Sequence, residues 1–417
     1  MALDINEIQY DEVGYVFEKF LIKVKDESGN VIEEKDLKEI HIRNVFIEKD
    51  YDSDYLPVFM VSIAISESLY KKIRKNQEYS TFNIILKSGK VDGENNISKL
   101  KNCLSGTFDI LGTDDTPLVN EKEIEADKKY YDGGESMADV GTEYTFVLVQ
   151  RSTMKKTRKI INKVITSANM TDTVSYLLTT AGVSNVLMSR MDNSSSYSEI
   201  ILLPIPLTSQ LSYLDSVFGF YKEGSQIFFD FDRMYLLRNS HKCTAYEKNE
   251  IKKVSICVYN TSSGKNAVKG SYIDNDEKVG YLHCGVGSFT VSSESKATDT
   301  YMSPNSLIIN QNGKIENATT NASGSSNVIN TSTHNKYYKT ETEMRTRELE
   351  NIITATCTNI DITLLKPNRY FNVRSNVTRV AKKVKHKFRL SKWSTTLARE
   401  GGVFKSVTTI ILKKTED

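Results

Sequence analysis

The chain has 417 residues, more than one ordinary hydrophobic core accommodates, so two or three domains are expected. Its 55 basic and 53 acidic residues give a formal net charge of +2, which excludes a whole-chain field that would draw it to nucleic acid or to a membrane. The five cysteines are widely spaced and form no CxxC pair, which argues against a disulfide scaffold or a zinc ribbon and favours reduced thiols.

No targeting or membrane-spanning segment is indicated by the sequence. The first residues, MALDINEIQYDE, are acidic and lack the apolar core of a secretory signal. The most apolar run, 200–207, is short and contains two prolines. We therefore expect no membrane insertion.

The first third of the chain is predicted to form strands. Apolar residues alternate with polar ones, and β-branched and aromatic residues are frequent. In the first strand the alternating apolar positions are Ile40, Ile42 and Phe46. The predicted strands are 40–46, 58–65, 79–86, 107–111 and 144–150.

Two other features interrupt this strand-rich region. Ser66 is a suitable N-cap for a short helix that carries Leu69 and Ile73. Residues 112–141 are acidic and rich in turn formers, which predicts a long loop or insertion.

The middle of the chain is predicted to contain two amphipathic helices. The first begins at Thr171 or Asp172 and ends at Gly182; the second follows Pro206 and ends at Gly219. The candidate caps of the second are Thr208 and Ser209. The apolar stripes are Val174, Leu177, Leu178 and Ala181 in the first helix and Leu211, Leu214, Val217 and Phe218 in the second. Two strands follow at 226–231 and 234–237, around an Asp232-Arg233 turn.

The last part of the chain returns to strands. The predicted strands are 254–259, 281–291, 360–364, 369–373, 387–390 and 403–413. The strand 360–364 is predicted from the alternation of Ile360, Ile362 and Leu364 with polar residues. Between them, 303–335 is dominated by Asn, Ser, Thr and Gly and is predicted to be a polar loop.

A third helix is predicted before residue 360. Thr340 and Glu343 have the spacing of a capping box, and Leu349, Ile352 and Ile353 would then face inward.

These elements predict a β-rich α+β protein with two β domains around a smaller mixed one. The first domain is 1–153, with the acidic loop 112–141; the mixed helix and hairpin domain is 154–240; the second is 241–417, with the polar loop 303–335. The ranges describe the sequence, and the domains are allowed to be discontinuous in space.

No catalytic, cofactor or metal site is expected. The five histidines are scattered without HExxH spacing, and no GxSxG is present. Asp50, Asp52 and Asp54 resemble the start of a calcium loop, but Tyr55 and Val61 stand where glycine and glutamate are needed, so an acidic turn is predicted. The neighbours His283 and Cys284 would point to opposite faces of a strand.

Two basic stretches remain, 155–163 and 374–392. Each is interpreted as a solvated face or an interface to an acidic partner; in a ring-shaped assembly, either would also suit a channel through which DNA passes without being read. The candidate channel or interface residues are Lys382, Lys383, Lys385, Lys387 and Arg389.

The stretch LSYLDSVFGFYKEGSQIFFDFDRMYLL resembles a segment of the baseplate hub proteins of contractile-tailed phages and related injection machines, the T-even-type hub or late-control-D-like family. In that family an amphipathic helix ends at a glycine and an aromatic turn and leads into an aromatic hairpin. YDSDYLPVFMVSIAISESLYKKI is similar to the early hairpin of the hub, and KPNRYFNV with GGVFKSVTTIILKK to its closing strands. The residues that carry the match, expected to pack internally, are Leu214, Phe218, Gly219, Phe220, Tyr221, Phe228, Phe229, Asp230 and Tyr235.

The resemblance implies two tail-tube-like antiparallel β-barrel domains in each chain and a homotrimer that forms a pseudo-sixfold ring. Such a hub joins the tail tube to the central spike and lines the channel without catalysing a reaction. Tape-measure and baseplate wedge proteins are further implied partners, and DNA passes non-specifically. The implied location is the tail baseplate of a virion, after synthesis in the host bacterial cytoplasm.

Two other functions remain open from the sequence. A receptor- or carbohydrate-binding tail protein would use exposed tyrosines and polar loops, such as 303–335, as a recognition surface. A cell-wall-degrading enzyme would need an acid/base pair or a metal site, and none is indicated.

Overall fold

The computed structural model describes most of the chain and leaves several segments aside. It describes residues 12–52, 55–92, 94–114, 142–221, 224–239, 250–259, 271–274, 277–294, 307–309, 315–317, 350–375, 386–400 and 402–415. The polar loop 303–335 therefore lies outside the described residues except for two short strands, and the acidic loop 112–141 does so after residue 114.

Strands dominate the described residues. In chain order the elements are β1 (Val13–Lys25), β2 (Val31–Asp36), β3 (Ile42–Asp50), β4 (Val58–Ile65), α1 (Glu67–Lys75), β5 (Thr81–Val91), β6 (Ile97–Asp114), β7 (Thr142–Gln150), α2 (Arg151–Thr157), β8 (Lys163–Asn169), α3 (Met170–Thr180), β9 (Val186–Met188), β10 (Ser196–Leu202), α4 (Leu207–Phe218), β11 (Ser225–Asp230), β12 (Arg233–Arg238), β13 (Lys253–Tyr259), β14 (Ser271–Asp274), β15 (Glu277–Gly285), β16 (Phe289–Glu294), β17 (Leu307–Ile309), β18 (Ile315–Asn317), β19 (Glu350–Thr358), β20 (Tyr370–Ser375), β21 (Phe388–Glu400) and β22 (Val403–Lys414). Short 3-10 helices occupy Glu39–His41, Val286–Ser288 and Ile362–Leu364.

Eight antiparallel strands close into a barrel, here called the first barrel. Their order is β21-β3-β4-β7-β6-β5-β1-β22, and the pairing of β22 with β21 completes the ring. Because β22 pairs with β21, the ring of strands is closed and has no unpaired edge at that point. This barrel confirms the predicted β-rich α+β fold class.

The inside of the first barrel is filled by large apolar side chains. Phe17 meets Phe20 and Phe404 edge to face, and Phe82 meets Phe20 and Phe146. Burying each such ring contributes about 1.5–3 kcal/mol, which makes the barrel interior the main source of stability here.

The alternation predicted for the first strand is wrong at two positions, and the first of them, Ile40, lies in the 3-10 helix Glu39–His41 before β3. Val45 and Ile47 point into the core, whereas Phe46 is half-exposed on the outer face. The reason is a register shift between Ile42 and Asn44, where a β-bulge changes the side to which the following residues point.

Helix α1 confirms the predicted cap at Ser66. The Ser66 Oγ accepts a hydrogen bond from the Leu69 N–H at 3.3 Å, and Leu69 and Ile73 are buried. The cap satisfies one of the N–H groups that a helix leaves without an internal partner.

Replacing Ser66 by alanine is expected to destabilise the chain by about 1 kcal/mol, because that N–H then loses its acceptor. Urea denaturation of Ser66→Ala against Ser66→Asp checks this, since aspartate also caps helices. A stability for Ser66→Ala equal to that of the unmodified chain would contradict the assigned cap.

Residues 151–238 form a middle unit with its own hydrophobic core. The first predicted helix begins slightly earlier than expected, because Asn169 is the cap and accepts from the Asp172 N–H at 2.9 Å. Gly182 follows that helix with a φ of +76°, and Gly219 ends α4 with a φ of +71°, a region that favours glycine.

The remaining strands extend the sheet beyond the first barrel. On one side β20, β13, β15 and β14 follow β21; on the other, β19 and β16 follow β22. This second sheet contains two parallel pairs, β13 with β15 and β13 with β20. It curls back on itself, since the Cys284 thiol on β15 donates to the Thr356 carbonyl on β19 at 3.3 Å.

Two predicted elements in this region are wrong. Residues 350–358 form β19 instead of a helix with Ile352 and Ile353 inward; Ile353 faces the core and Ile352 does not. The β-branched run favours a strand, and pairing with β16 and β22 secures it. The capping residues Thr340 and Glu343 lie outside the described residues.

The predicted strand at 360–364 is a 3-10 turn. Asp361 caps it by accepting from the Thr363 N–H at 3.1 Å. Ile360, Ile362 and Leu364 are all buried, although the turn does not alternate like a strand.

Strand pairing crosses the predicted domain ranges. The hairpin of β21 and β22 lies in the predicted second domain by sequence, yet β21 pairs with β3 and β22 with β1. The division at residues 153 and 241 therefore stays a prediction, while the 388–414 hairpin is shared by the first barrel and the second sheet.

Candidate functional site

The hairpin of β11 and β12 connects the middle unit to the first barrel. Its two faces enter different cores: Phe228 and Tyr235 pack with the barrel core, and Phe229 and Met234 with the core of the middle unit. Strand alternation makes this possible, because successive residues point to opposite faces. The hairpin therefore lies between the two cores, and we call it the hairpin plate.

The residues that carry the resemblance to the hub proteins, within 211–237, lie at several positions around the hairpin plate. Leu214, Phe220 and Tyr221 are buried in the middle unit, and Phe218 is half-buried against Tyr197. The Tyr221 hydroxyl donates to the Ser189 carbonyl at 2.8 Å. Their importance for assembly stays a prediction.

Asp52 gathers partners from three parts of the chain. Its carboxylate accepts from both terminal nitrogens of Arg389, at 2.7 and 3.3 Å, and from Ser391 Oγ at 2.6 Å. Gln226 Nε2 on β11 lies at 3.1 Å and Lys413 Nζ on β22 at 3.0 Å. One carboxylate thus ties the end of β3 to the hairpin plate and to both C-terminal strands.

The charges around Asp52 determine its protonation. Burial alone would raise the pKa of Asp52, but the adjacent Arg389 guanidinium and the Lys413 ammonium outweigh this and hold the pKa well below its usual range. The carboxylate is therefore ionised at neutral pH.

A second buried contact lies beside the first. Lys49 forms an ion pair with Asp230 and lies over the rings of Phe231 and Trp393, at 4.7 and 4.9 Å from the ring centres. Trp393 Nε1 donates to the Tyr51 hydroxyl at 2.9 Å. We call this cluster, with Asp52 and its partners, the joint.

The joint borders a polar cavity of about 480 Å³ between the first barrel, the hairpin plate and the 362–369 turn. Its wall includes Lys49, Asp230, Arg233 and Arg369. Arg369 is already bound to the Thr363 and Leu364 carbonyls, at 3.1 and 3.0 Å, so it mainly braces the turn.

The predicted basic channel residues fall into two groups. Lys382, Lys383 and Lys385 lie outside the described residues. Lys387 lies over the Tyr370 ring at 5.5 Å, and Arg389 is only 5% exposed and paired with Asp52. The Arg389 charge is paired with Asp52 within the chain; the role of these residues in a channel or an interface stays a prediction.

The outer face of the sheet carries a row of uncharged residues in direct cross-strand register. It runs from β19 across the shared hairpin to β6 through Thr358, Val407, Thr396, Phe46, Met60, Val147 and Gly112. All of them are at least partly exposed. Such a face suits contact with neighbouring proteins better than attraction of DNA phosphates.

Three thiols and a histidine are buried on the strands of the second sheet: Cys284 and Cys357 point into the core, whereas Cys257 and His283, which are register partners, point to the other face. Cys257, Cys284 and Cys357 are buried and free, and burial raises the pKa of Cys257 to about 12. His283 is also buried, and burial lowers its pKa to about 4. Among the residues that the structure describes, no cluster of His, Cys, Asp and Glu could hold a metal ion.

The buried His283 makes stability depend on pH. Because its folded pKa lies below that of the unfolded chain, the unfolded state binds a proton first as pH falls from about 6.5 to 4. Stability should drop by about 2–3 kcal/mol over that window and then level off for this group.

His283→Phe should remove that part of the pH dependence, whatever its own effect on stability. The check is urea denaturation of both chains at several pH values between 4 and 7. Parallel curves for the two chains would show that His283 is not the group responsible.

The sequence profile of one protein family matches residues 27–415, nearly the whole chain, and its description is "Bacteriophage PBS1 gene 109 protein". The chain belongs to the bacteriophage PBS1 gene 109 protein family. The resemblance to phage proteins is confirmed by this membership. No curated protein matches the chain.

Several solved structures align along most of this gene 109 family chain. A tail protein from Neisseria meningitidis MC58 is 11% identical, covers 96% of this chain and 97% of its own, and has a TM-score of 0.47. The 43 kDa tail protein of prophage MuSo2 from Shewanella oneidensis is 9% identical, with 96% of each chain covered and a TM-score of 0.40.

A third structure is an Escherichia coli component of the type VI secretion system, described as similar to T4 bacteriophage tail proteins. It is 10% identical, covers 90% of this chain and 74% of its own, and has a TM-score of 0.42. All three TM-scores are below 0.5, so no function is transferred from these proteins. Within the described ranges of the gene 109 family chain, no helix is long and apolar enough to cross a membrane.

Proposed function

We propose that this chain is the structural hub of a phage or phage-like tail baseplate. In this role three copies form a pseudo-sixfold ring that joins the tail tube to the central spike, and the protein catalyses no reaction. The observation that carries the proposal is the shared β21-β22 hairpin, which fuses a closed barrel and a curled second sheet into one chain. Three chains then supply six such units.

A hub must transmit force between its neighbours without coming apart. The joint supports this requirement, because Asp52, Lys49 and Trp393 tie three parts of the chain together through partly buried ion pairs and a buried hydrogen bond. The uncharged outer row, including Val407 and Met60, supplies a surface that neighbouring tail proteins can cover. Residues joined in this way move as one body when the tail contracts.

The proposed partners are the tail tube, the central spike, and the tape-measure and wedge proteins. The proposed location is the tail of the virion, after synthesis in the host cytoplasm. DNA passes through the ring without specific contacts, which agrees with the internal pairing of Arg389.

Co-assembly with the cognate spike and tube proteins tests the hub role. Mass photometry and electron microscopy of the mixture should show three copies of this chain for each spike trimer, in a ring. The chain alone, and the chain with either partner singly, are the controls. A chain that stays monomeric with both partners present would contradict the proposal.

A further inference from the structure

Two patches of exposed apolar residues stand out on opposite parts of the fold. The first, the ribbon patch, lies on the two-stranded sheet of β8 and β10 and comprises Ile160, Val164 and Ile201. Val164 lies directly opposite Ile201 in the register, and an isolated bridge joins Ile160 to Pro206 beyond the end of that ladder. These three side chains are between 51% and 56% exposed, although a monomer would normally bury them.

Positive charge predominates around the ribbon patch, although Glu199 on β10 is exposed on the same face as Ile201. The stretch 144–171 contains six basic residues and no acidic one. Of these, Arg158, Lys159 and Lys163 are exposed and flank the patch along the chain. A partner of this surface must therefore be both apolar and acidic.

The second patch, the edge patch, lies on β2. Among the described residues β2 pairs only with β1, outside the barrel ring, and one of its edges is open. Val31 and Ile32 on it are 51% and 48% exposed. An open strand edge with apolar side chains invites association unless another surface covers it.

The edge patch also carries acidic residues. Glu33, Glu34 and Asp36 follow the two apolar residues within the same strand, together with one basic residue, Lys35, so acidic side chains outnumber basic ones there. Glu33 and Glu34 make ion pairs within the chain, with Lys72 at 2.6 Å and Lys23 at 3.0 Å. Exposed ion pairs of this kind contribute at most about 1 kcal/mol, so they exchange readily for partners on another molecule.

We propose that the edge patch of one copy packs on the ribbon patch of the next copy. The inference rests on the proposed hub function and identifies the contact between subunits. Val31 and Ile32 would cover Ile160, Val164 and Ile201, with the β2 carboxylates facing the basic residues. A contact of the ribbon patch with itself would oppose like charges, whereas two unlike patches on one chain give a head-to-tail contact, which closes a ring when the rotation fits.

Site-specific cross-linking tests this contact in the co-assembled ring. The double variant Ile32→Cys with Val164→Cys is treated with a short bismaleimide, which joins only thiols that lie close together. The expected product is a ladder of covalent oligomers that ends at the closed ring. The matched control is Ile32→Cys with Val407→Cys, since Val407 is equally exposed but lies on the uncharged outer row; it should give no ladder.

Charge reversal provides a second, independent readout. Lys159→Glu with Lys163→Glu should weaken ring formation roughly tenfold or more, and adding Glu33→Lys with Glu34→Lys to the same chain should restore it. Rings that form normally but show neither the ladder nor the reversal effect would overturn this contact and leave the hub proposal intact. Cross-linking of Val164→Cys alone into dimers would also overturn it, because it would show a like-to-like contact.

Discussion

Replacing Asp52 by asparagine is expected to destabilise the protein by about 3–5 kcal/mol. The substitution keeps the size of the side chain but removes the charge that compensates Arg389 and Lys413. Arg389 is buried and cannot return to solvent while β21 stays in place. The loss should therefore loosen the hairpin plate and the C-terminal strands together.

Trp393 makes this change directly measurable, because it is the only tryptophan in the chain and lies at the joint. Urea denaturation followed by its fluorescence should show a lower midpoint for Asp52→Asn. Glu67→Gln is the control, since Glu67 forms an exposed ion pair with Lys71 and its loss should leave the midpoint nearly unchanged. Equal midpoints for the two variants would contradict the importance of the joint.

The stability of the unmodified chain should depend more on acid pH than the stability of Asp52→Asn. The pKa of Asp52 is lowered in the folded state, so its contribution is fully present above the usual pKa of aspartate, about 4, and is lost as pH falls below that value. The stability gap between the unmodified chain and Asp52→Asn should thus be constant near neutral pH and shrink below about pH 4.

Trp393→Ala is expected to have an effect of similar size, about 3–5 kcal/mol. The indole is 2% exposed, donates to the Tyr51 hydroxyl and provides one of the two rings beneath Lys49. Its removal leaves a cavity at the contact between β21 and the hairpin plate. Circular dichroism during urea denaturation measures the loss, since the fluorescent residue is gone.

Trp393→Phe separates the ring from its hydrogen bond. Phenylalanine keeps most of the packing but leaves the Tyr51 hydroxyl without its donor, so a smaller cost of about 1–3 kcal/mol is expected. A cost for Trp393→Phe as large as that for Trp393→Ala would mean that the hydrogen bond, and not the volume of the ring, stabilises the joint.

Local patterns predicted most of the individual elements. β4 has the predicted bounds, the Ser66 cap is present, and a predicted glycine with positive φ follows each middle helix. In each case the deciding signal lies within a few residues: alternation, a capping hydroxyl, or a glycine that tolerates a positive φ. The predicted caps Thr208 and Ser209 are wrong, because α4 begins before them at Leu207. The prediction of a helix at 350–358 was wrong because pairing with distant strands determines the structure there: β19 pairs with β16 and β22.

The joint could not be predicted from the sequence. Asp52 and Arg389 are 337 residues apart, and nothing local to either residue indicates the other. The available signals were indirect: an acidic run without the glycine and glutamate of a calcium loop, and a lone tryptophan next to basic residues. Buried ion pairs require the complete fold to bring their partners together, so their residues look like ordinary surface charges in a sequence.

The shared hairpin has a consequence for synthesis of the protein on the ribosome. Six strands of the first barrel are made within the first 150 residues, but the barrel cannot close until β21 and β22 emerge, more than 230 residues later. During that interval β1 and β3 expose the backbone groups that the hairpin will later pair. The nascent chain therefore depends on its last strands to protect its first ones, and a chain released early would present two open sheet edges to its surroundings.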